Sequence, residues 1–356
     1  AATASETVSA WLAGVAHEVP LHQRSALAPG RTIAGPGIII DALSTTIVEP
    51  GWRAEVQSEG TLLLARTRAA ATHAAATDDL TNPDPIRLEI FNSLFMAIAE
   101  EMGGALQHSA SSINIRERLD FSCAIFDGDG RLVANAPHMP VHLGSMGESV
   151  RTILRQRSGA DGRPTDGRGI RRGDAYALNA PYDGGTHLPD ITVIMPVFVE
   201  GDEPSFFVAA RGHHADLGGI APGSMPPDSK SMPDEGILFD NMLIVDDGNF
   251  RDAAVASHLV DSAWPARNPA LNIADLKAQV AACQRGASAL VDLSAAHGVQ
   301  TVTAYMAHGQ AQAEAAVRQL IAGLGDGAFR YAMDNGAVVA VAVQGDPAAR
   351  HGTIDF

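Results

Sequence analysis

Three short clusters of histidine and aspartate hold the side chains of this sequence that are best suited to chemistry. They are His138-Met-Pro-Val-His142, His187-Leu-Pro-Asp190 and His213-His214-Ala-Asp216. Imidazole and carboxylate groups together bind zinc, manganese or iron without the help of thiolates. We therefore expect a site for one divalent metal ion, Mn, Zn or Fe, built from members of these clusters.

His187 and Asp190 form the most suggestive pair, because a bend at the intervening Leu-Pro lets both side chains reach one ion. The segment FFVAARGHHADLGG brings His213 beside them if the two neighbouring apolar segments form a hairpin. Adjacent residues of a strand point to opposite faces, so the sequence leaves open whether His213 or His214 is the ligand. The predicted metal set is His187, Asp190 and His213.

A phosphate site is poorly supported. Asp183-Gly184-Gly185-Thr186 superficially resembles the DxGGT loop of actin-like ATPases, but Thr186 leads straight into His187. We interpret this stretch as a tight turn that presents His187. The sequence contains neither a GxxxxGK[ST] loop nor a GxSxG nucleophile elbow. We expect no ATP site and no serine nucleophile in this chain.

Composition narrows the possible partners. The sequence has 41 acidic and 25 basic residues, a formal net charge of -16, which argues against nucleic-acid binding. It has no run of about 18 apolar residues, as a membrane span needs, and its N-terminus does not resemble a secretory signal. We expect a cytoplasmic protein. Cys123 and Cys283 lie far apart among apolar neighbours, which favours buried free thiols.

Residues 32–66 are rich in apolar β-formers and are punctuated by Gly and Pro, which predicts a small all-β unit. Residues 67–83 lack an amphipathic period and predict a linker. Asp84-Pro85 then opens a long predicted helix, with Asp84 as the N-cap. Its core-facing stripe is predicted to contain Ile90, Phe91, Leu94, Phe95, Ile98, Met102 and Leu106.

The remainder predicts an α+β fold, in which a mixed β-sheet core is packed with helices and preceded by the small all-β N-terminal unit. Predicted strands cover 121–126, 131–134, 174–179, 191–199, 205–211 and 242–246. Asp127-Gly-Asp-Gly130 predicts a hairpin turn, since it lacks the later ligands of a calcium loop. Two packed helices are expected from about residue 269, followed by a final strand, turn and strand.

Four blocks of this sequence resemble the hydantoinase B/oxoprolinase family. They are DPIRLEIFNSLFMAIAEEMG, RERLDFSCAIFDGDGRLVANAPHMPVHLGSM, NAPYDGGTHLPDITVIMPVF and GHHADLGGIAPGSMPPDS. Upstream, GPGIIIDALSTTIVEPGW resembles the C-terminal tail of the hydantoinase A family. The resemblance implies a fused 5-oxoprolinase-like polypeptide, with 1–66 as the hydantoinase A tail and 84–356 as a hydantoinase B-like metal domain. It also implies that the chain is a fragment, truncated at its C-terminus and separated from the ATPase half.

The same resemblance implies a function. The hydantoinase A part would bind Mg-ATP and phosphorylate the oxygen of a small cyclic amide, and the metal-bearing part would hydrolyse the activated ring, as in 5-oxoprolinase or N-methylhydantoinase. Asp120 of RERLDFS becomes the fourth candidate ligand beside His187, Asp190 and His213. His138, His142, His214 and Asp216 remain candidates for orienting the ligands or contacting substrate, with His142 and Asp216 as the catalytic candidates.

Other functions fit parts of the pattern. The metal subunit of an ATP-dependent acetone- or acetophenone-type carboxylase resembles this half as well. Two histidines and one carboxylate also form the facial triad of non-haem iron oxygenases, and a non-catalytic docking module is a further alternative. We expect a hydantoinase A-like ATPase domain as the partner, a homo-oligomeric assembly, and no activity from the chain alone.

Overall fold

The structure, a computed structural model, describes residues 6–12, 15–67, 80–159 and 167–356. The chain divides into two units, Ala1–Asp79 and Leu80–Phe356. Most of the predicted linker, residues 68–79, lies outside the described residues.

The first unit contains seven strands and one short 3-10 helix, Arg24–Ala26, among its described residues. The strands are β1 (Glu6–Leu12), β2 (Val15–Gln23), β3 (Thr32–Ala34), β4 (Gly37–Ile40), β5 (Thr45–Val48), β6 (Trp52–Val56) and β7 (Leu62–Arg66). One sheet has the order β1-β2-β4-β5 and the other β3-β6-β7. Ile33, Ile39, Val48 and Val56 are among the residues of its core. The all-β prediction for this region is therefore confirmed, and β1 and β2 extend it upstream.

The second unit contains both helices and strands. Its helices are α1 (Pro85–Ser109), α2 (Ile113–Arg116), α3 (Leu143–Ser158), α4 (Met232–Glu235), α5 (Asp252–Val260), α6 (Pro269–His297) and α7 (Val299–Ile321). Its strands are β8 (Phe121–Asp127), β9 (Leu132–Asn135), β10 (Ala175–Leu178), β11 (Asp190–Val197), β12 (Phe206–His213), β13 (Met242–Asp246), β14 (Asn249–Phe250), β15 (Gly327–Ala332), β16 (Val338–Asp346) and β17 (His351–Asp355).

A seven-stranded sheet with the order β14-β13-β10-β11-β12-β8-β9 forms the centre of this unit, and its neighbouring strands pair antiparallel. Successive side chains of a strand face opposite sides of the sheet. Ile191 and Val193 of β11 join the core beneath α1 and α6, whereas Ile194 joins the core beneath α3. Both faces are thus covered, which explains why every residue of β11 is buried.

Helix α1 begins as predicted. The side chain of Asp84 accepts hydrogen bonds from the backbone amides of Ile86 and Arg87, and Pro85 occupies the first helical position. The predicted apolar face is partly wrong, because Ile90 is 50% exposed. Buried Leu88 shows that the core-facing stripe is rotated away from Ile90, toward the side of the helix that also carries Phe91, Phe95 and Met102.

The other predicted elements are confirmed with small shifts at their ends. All six strands expected between residues 121 and 246 are present, and two long helices, α6 and α7, follow residue 269. The final strand-turn-strand corresponds to β16 and β17, and β15 completes a three-stranded sheet with them. The α+β fold class is therefore confirmed. Across the described ranges, none of the helices has the length and apolar character needed to cross a bilayer.

Packing beneath α1 yields a direct test. Phe95 is buried and its ring lies 5.8 Å from that of Phe91, so Phe95→Ala should reduce the free energy of unfolding by about 3–5 kcal/mol through lost burial and a residual cavity. Ile90→Ala, on the exposed side of the same helix, should cost no more than about 1 kcal/mol. Urea denaturation followed by circular dichroism measures both. Equal losses would contradict this assignment of the buried face.

Candidate metal centre

The site lies where one hairpin of the central sheet opens. Strand β11 begins at Asp190 and β12 ends at His213, and these two residues are register partners. Register partners of an antiparallel pair project to the same side of the sheet, so their side chains meet. His213 Nδ1 lies 3.0 Å from Asp190 Oδ1. The predicted hairpin therefore brings the aspartate and one histidine of two separate motifs into contact.

His187 reaches the same carboxylate from the turn that precedes β11. A short 3-10 helix, Pro181–Asp183, ends at Gly184, whose positive φ of 95° suits glycine. His187 Nδ1 then lies 3.2 Å from Asp190 Oδ2. One potential ligand atom from each of His187, Asp190 and His213 lies within 4.8 Å of the other two. The stretch predicted to be a tight turn does present His187 to this cluster.

The donor set of this cluster fits a divalent transition metal. His187 Nδ1 is buried, and although it lies 3.2 Å from Asp190 Oδ2, it makes no hydrogen bond of acceptable geometry with the residues that the structure describes. Buried ring nitrogens normally have a partner, so an orphaned one beside a carboxylate suggests an unfilled ligand role. Two imidazoles and a carboxylate suit Zn, Mn or Fe. The residues present therefore match the expected kind of ion.

Asp190 is the buried negative charge around which the histidines of the site are arranged. Its side chain is only 3% exposed, and burial by itself raises the pKa of a carboxyl group. Hydrogen bonds from His142, His213 and Thr186 outweigh burial and hold the pKa of Asp190 far below its usual value of 3.8. Asp190 is consequently ionised at any pH at which the imidazoles are free to bind a metal.

The charge of Asp190 also acts on His213. Burial lowers the pKa of His213, but its hydrogen bond to Asp190, together with the charges of Asp190 and Asp120, raises that pKa above 6.5. Asp120 Oδ2 lies 3.9 Å from His213 Nδ1, and the backbone carbonyl of Asp120 accepts a hydrogen bond from the His213 amide. Asp120 is thus a neighbour of the cluster, slightly farther away than its three members.

His214 lies on the other side of the strand end. It is fully buried against α6, where its Nε2 is 3.0 Å from Gln279 Oε1 and its Nδ1 is 3.2 Å from Asn272 Nδ2. Burial lowers the pKa of His214. Because adjacent side chains point to opposite faces, His213 lies in the cluster, whereas His214 hydrogen-bonds α6 on the other face of the sheet.

Comparison with known proteins identifies the larger unit. Residues 84–356 match the model of the Hydantoinase B/oxoprolinase family. The chain belongs to this family. Its relative 5-oxoprolinase 1 of Arabidopsis thaliana is 42% identical over 313 residues, covering 86% of this chain and 24% of that protein. The chain thus spans about a quarter of the length of this curated relative. Residues 84–356 are called the hydantoinase B segment below.

Two solved structures share the fold. The ATP-dependent caprolactamase of Pseudomonas jessenii has a TM-score of 0.64 at 24% identity, covering 77% of this chain and 46% of that one. A nucleotide-free acetone carboxylase has a TM-score of 0.62 at 17% identity, covering 74% of this chain and 35% of that one. Identities this low support a common fold and leave the reaction open.

Of the two histidines in the first motif of the hydantoinase B segment, only His142 approaches the cluster. His142 is buried, its Nε2 lies 3.2 Å from Asp190 Oδ2, and its Nδ1 lies 2.9 Å from Ser122 Oγ. His138 instead packs its ring against Phe121, 4.6 Å between centroids, and accepts a hydrogen bond from the Cys123 amide. Sequence spacing alone does not separate these two environments.

Asp216 occupies a different environment. Its oxygens accept hydrogen bonds from the amides of Gly218, Gly223 and Arg267, and Arg267 Nη1 lies 2.8 Å away. Burial opposes ionisation here, but these hydrogen bonds lower the pKa of Asp216. The structure gives Asp216 the contacts of an anchor for the loop that follows β12, rather than contacts with the predicted metal ligands.

Sequence reasoning missed two polar neighbours of the cluster. The Thr186 hydroxyl donates a short hydrogen bond to Asp190 Oδ2. Arg211 is completely buried on β12, two residues before His213. A charged residue inside the otherwise apolar run FFVAARG was the available signal for Arg211. Thr186 gave no comparable signal, because its role depends on how the turn folds.

The pairing of His213 with Asp190 predicts a measurable shift. Because Asp190 raises the pKa of His213, Asp190→Asn should lower that pKa in the metal-free protein, as measured by an NMR titration of the imidazole resonances. The interaction stabilises the folded state fully below pH 6.5 and is lost as pH rises through the raised folded pKa.

Asp127→Asn is the matched control, since Asp127 is a largely buried carboxylate at the opposite end of β8 from Ser122. This variant should leave the His213 titration unchanged. An unaltered His213 pKa in Asp190→Asn would contradict the proposed electrostatic pairing.

Proposed function

We propose that this chain carries the metal-bearing hydrolytic site of an ATP-dependent cyclic amide hydrolase of the 5-oxoprolinase or N-methylhydantoinase type. The observation that carries the proposal is the cluster of His187, Asp190 and His213 at the open end of the β11–β12 hairpin. Membership of the Hydantoinase B/oxoprolinase family supplies the reaction class. The sequence similarity to a 5-oxoprolinase favours a five-membered lactam as substrate.

His187, Asp190 and His213 would hold the ion, with Asp120 as a fourth ligand after a small side-chain movement. When bound, a divalent ion supplies Lewis-acid activation of water, whose pKa falls from about 15.7 toward about 7. Asp190 contributes a permanent negative charge because its neighbours keep it ionised. The backbone hydrogen bond from the His213 amide to the Asp120 carbonyl fixes the end of β12 relative to Asp120, which directly precedes β8.

His142 is the proposed proton carrier of the site. Because the Asp190 carboxylate can only accept, a neutral His142 ring donates from Nε2 and accepts from the Ser122 hydroxyl at Nδ1. Both ring nitrogens are thereby oriented by fixed partners. Such a ring would first take up the proton that the attacking water loses, and the resulting imidazolium would then give that proton to the nitrogen that is released when the ring opens.

Activation of the lactam requires a second active centre. An amide carbon is a poor electrophile, and phosphorylation of its oxygen by ATP makes it a better one. Residues 183–186 lead directly into His187 rather than forming a phosphate loop, so we assign Mg-ATP to a hydantoinase A-like partner domain. We further propose that residues 1–66 are the end of that partner. In support, the match to the Arabidopsis protein is longer than the hydantoinase B segment and so extends upstream of Asp84.

The fold alone fits two reactions, since both a caprolactamase and an acetone carboxylase share it. The sequence similarity at 42% identity is to a protein named 5-oxoprolinase, which favours lactam hydrolysis over ketone carboxylation. The same similarity disfavours an iron oxygenase, although its facial triad uses the same donor types.

Metal content is the first test of this proposal. The purified chain should bind one equivalent of Mn, Zn or Fe, and Asp190→Asn should lose that metal while its circular dichroism spectrum is retained. Equilibrium dialysis followed by elemental analysis measures the stoichiometry. Asp127→Asn should keep a full equivalent, because Asp127 bonds Arg131 and Gln310 instead. Full retention of metal by Asp190→Asn would contradict the proposal that His187, Asp190 and His213 bind the ion.

Turnover is the second test, made in a preparation that contains this chain together with its ATPase part. Asp190→Asn should reduce ATP-dependent ring opening of 5-oxoproline by at least about 100-fold, because one ligand and the main anionic charge are lost. Glutamate formed per minute is the readout, with Asp127→Asn as the control. Wild-type turnover of a ketone and bicarbonate, without lactam hydrolysis, would establish the carboxylase alternative instead.

A further inference from the structure

Arg211 is the largest fully buried side chain among the residues that the structure describes, and it lies on β12 close to the proposed metal cluster. It shares one face of β12 with His213, two residues further on. Among the described residues, its guanidinium hydrogen-bonds neutral groups, and the charge of Asp190 acts on it without a direct ion pair. A buried charge without a direct counter-ion is costly, so its hydrogen bonds must offset that cost.

Those hydrogen bonds go to four neutral oxygens. Arg211 Nε donates to Thr192 Oγ1 at 2.7 Å, and Nη1 donates to Ser145 Oγ at 2.5 Å. Nη2 donates to Ser149 Oγ at 2.9 Å and to the carbonyl of Gly184 at 2.7 Å. Each nitrogen of the guanidinium therefore has a partner in a different direction.

The four acceptors belong to three parts of the fold, each of which contains or directly adjoins a residue of the site. Thr192 lies on β11 two residues after Asp190, and it is the register partner of Arg211. Ser145 and Ser149 lie on α3, which directly follows His142. Gly184 lies in the turn that leads to His187. One side chain thus fixes β11, α3 and this turn relative to β12.

The turn and α3 are in close contact at this point. A Cβ atom on Gly184 would lie 2.3 Å from the backbone nitrogen of Ser149, which leaves no space for any other residue. Ser149 Oγ also donates to the Gly184 carbonyl at 2.7 Å. The turn therefore packs directly against α3, and Arg211 hydrogen-bonds both of them.

We propose that Arg211 is a positioning residue for the metal centre, which sets the place of His187 relative to Asp190 and His213 without being a ligand. Loss of its hydrogen bonds frees the Gly184 turn, so His187 no longer meets the other two ligand atoms in one fixed geometry. This inference rests on the metal site proposed above.

The planar shape of arginine distinguishes this role from a purely electrostatic one. A guanidinium presents five donors in a rigid fork, whereas the ammonium of lysine is a single point charge with three donors. Arg211→Lys therefore keeps the positive charge behind Asp190 and loses the simultaneous hold on Thr192, Ser145 and Gly184.

Cobalt titration of the metal-free chain tests the proposal, because Co²⁺ reports ligand geometry through its visible absorption. Arg211→Lys should weaken Co²⁺ binding by about 10- to 100-fold and alter the shape of the absorption bands. Ser149→Ala, which removes one acceptor and the bond to Gly184, should change both readouts in the same direction. It also keeps the question decidable if Arg211→Lys does not fold.

Arg157→Lys is the matched control. Arg157 also bridges α3 to another part of the fold, with its Nε 3.1 Å from Asn241 Oδ1, and its loss should leave Co²⁺ affinity and spectrum unchanged. Wild-type affinity and spectrum in folded Arg211→Lys, or in Ser149→Ala, would overturn the proposal. Failure of the wild-type chain to bind any metal would instead overturn the metal site itself.

Discussion

The structure of the site depends above all on the hydrogen-bond donors that stabilise the buried negative charge of Asp190. Asp190 begins a strand that is buried along its whole length, and a charge in such a place is tolerated only where donors surround it. The register of β11 and β12 supplies His213, the preceding turn supplies Thr186 and His187, and the segment before α3 supplies His142. His142, His213 and Thr186 hydrogen-bond this one side chain, and His187 lies beside it, so the parts of the site converge on Asp190.

The two faces of the central sheet differ in the side chains that they present near the site. Toward α1 and α6 the strands present apolar side chains, and His214 enters that side only as a neutral ring held by amide groups. Toward α3 they present Ser122, Thr192 and Arg211 near the strand ends, followed by apolar residues further along. Because side chains alternate along a strand, a single hairpin contributes apolar residues to the core on one face and polar residues to the proposed metal site on the other.

This arrangement fits the function proposed above, in which the domain works beside an ATP-dependent partner. The cluster lies at the ends of strands and is carried by a rigid sheet, while His187 comes from a turn that α3 and Arg211 hold in place. The packing holds these side chains together without an ion, and it concentrates negative charge among them. In the function proposed above, that charge would help to retain a bound metal ion.

The sequence by itself predicted the elements of the fold and the residues of the proposed metal cluster. Apolar periodicity and Gly-Pro punctuation located the six central strands and the long helices, and the HxxD and GHHAD motifs supplied His187, Asp190 and His213. These features are local, since alternation, capping and turn chemistry act over a few residues.

Tertiary structure decided the rest. Which of His213 and His214 faces the cluster follows from the strand register, and the environments of His142, His138 and Asp216 follow from what packs against them. Likewise the buried face of α1 excludes Ile90 because of where α6 lies, and Arg211 gains its partners from elements 19 to 66 residues away. Such contacts arise from long-range packing, which no short stretch of sequence encodes.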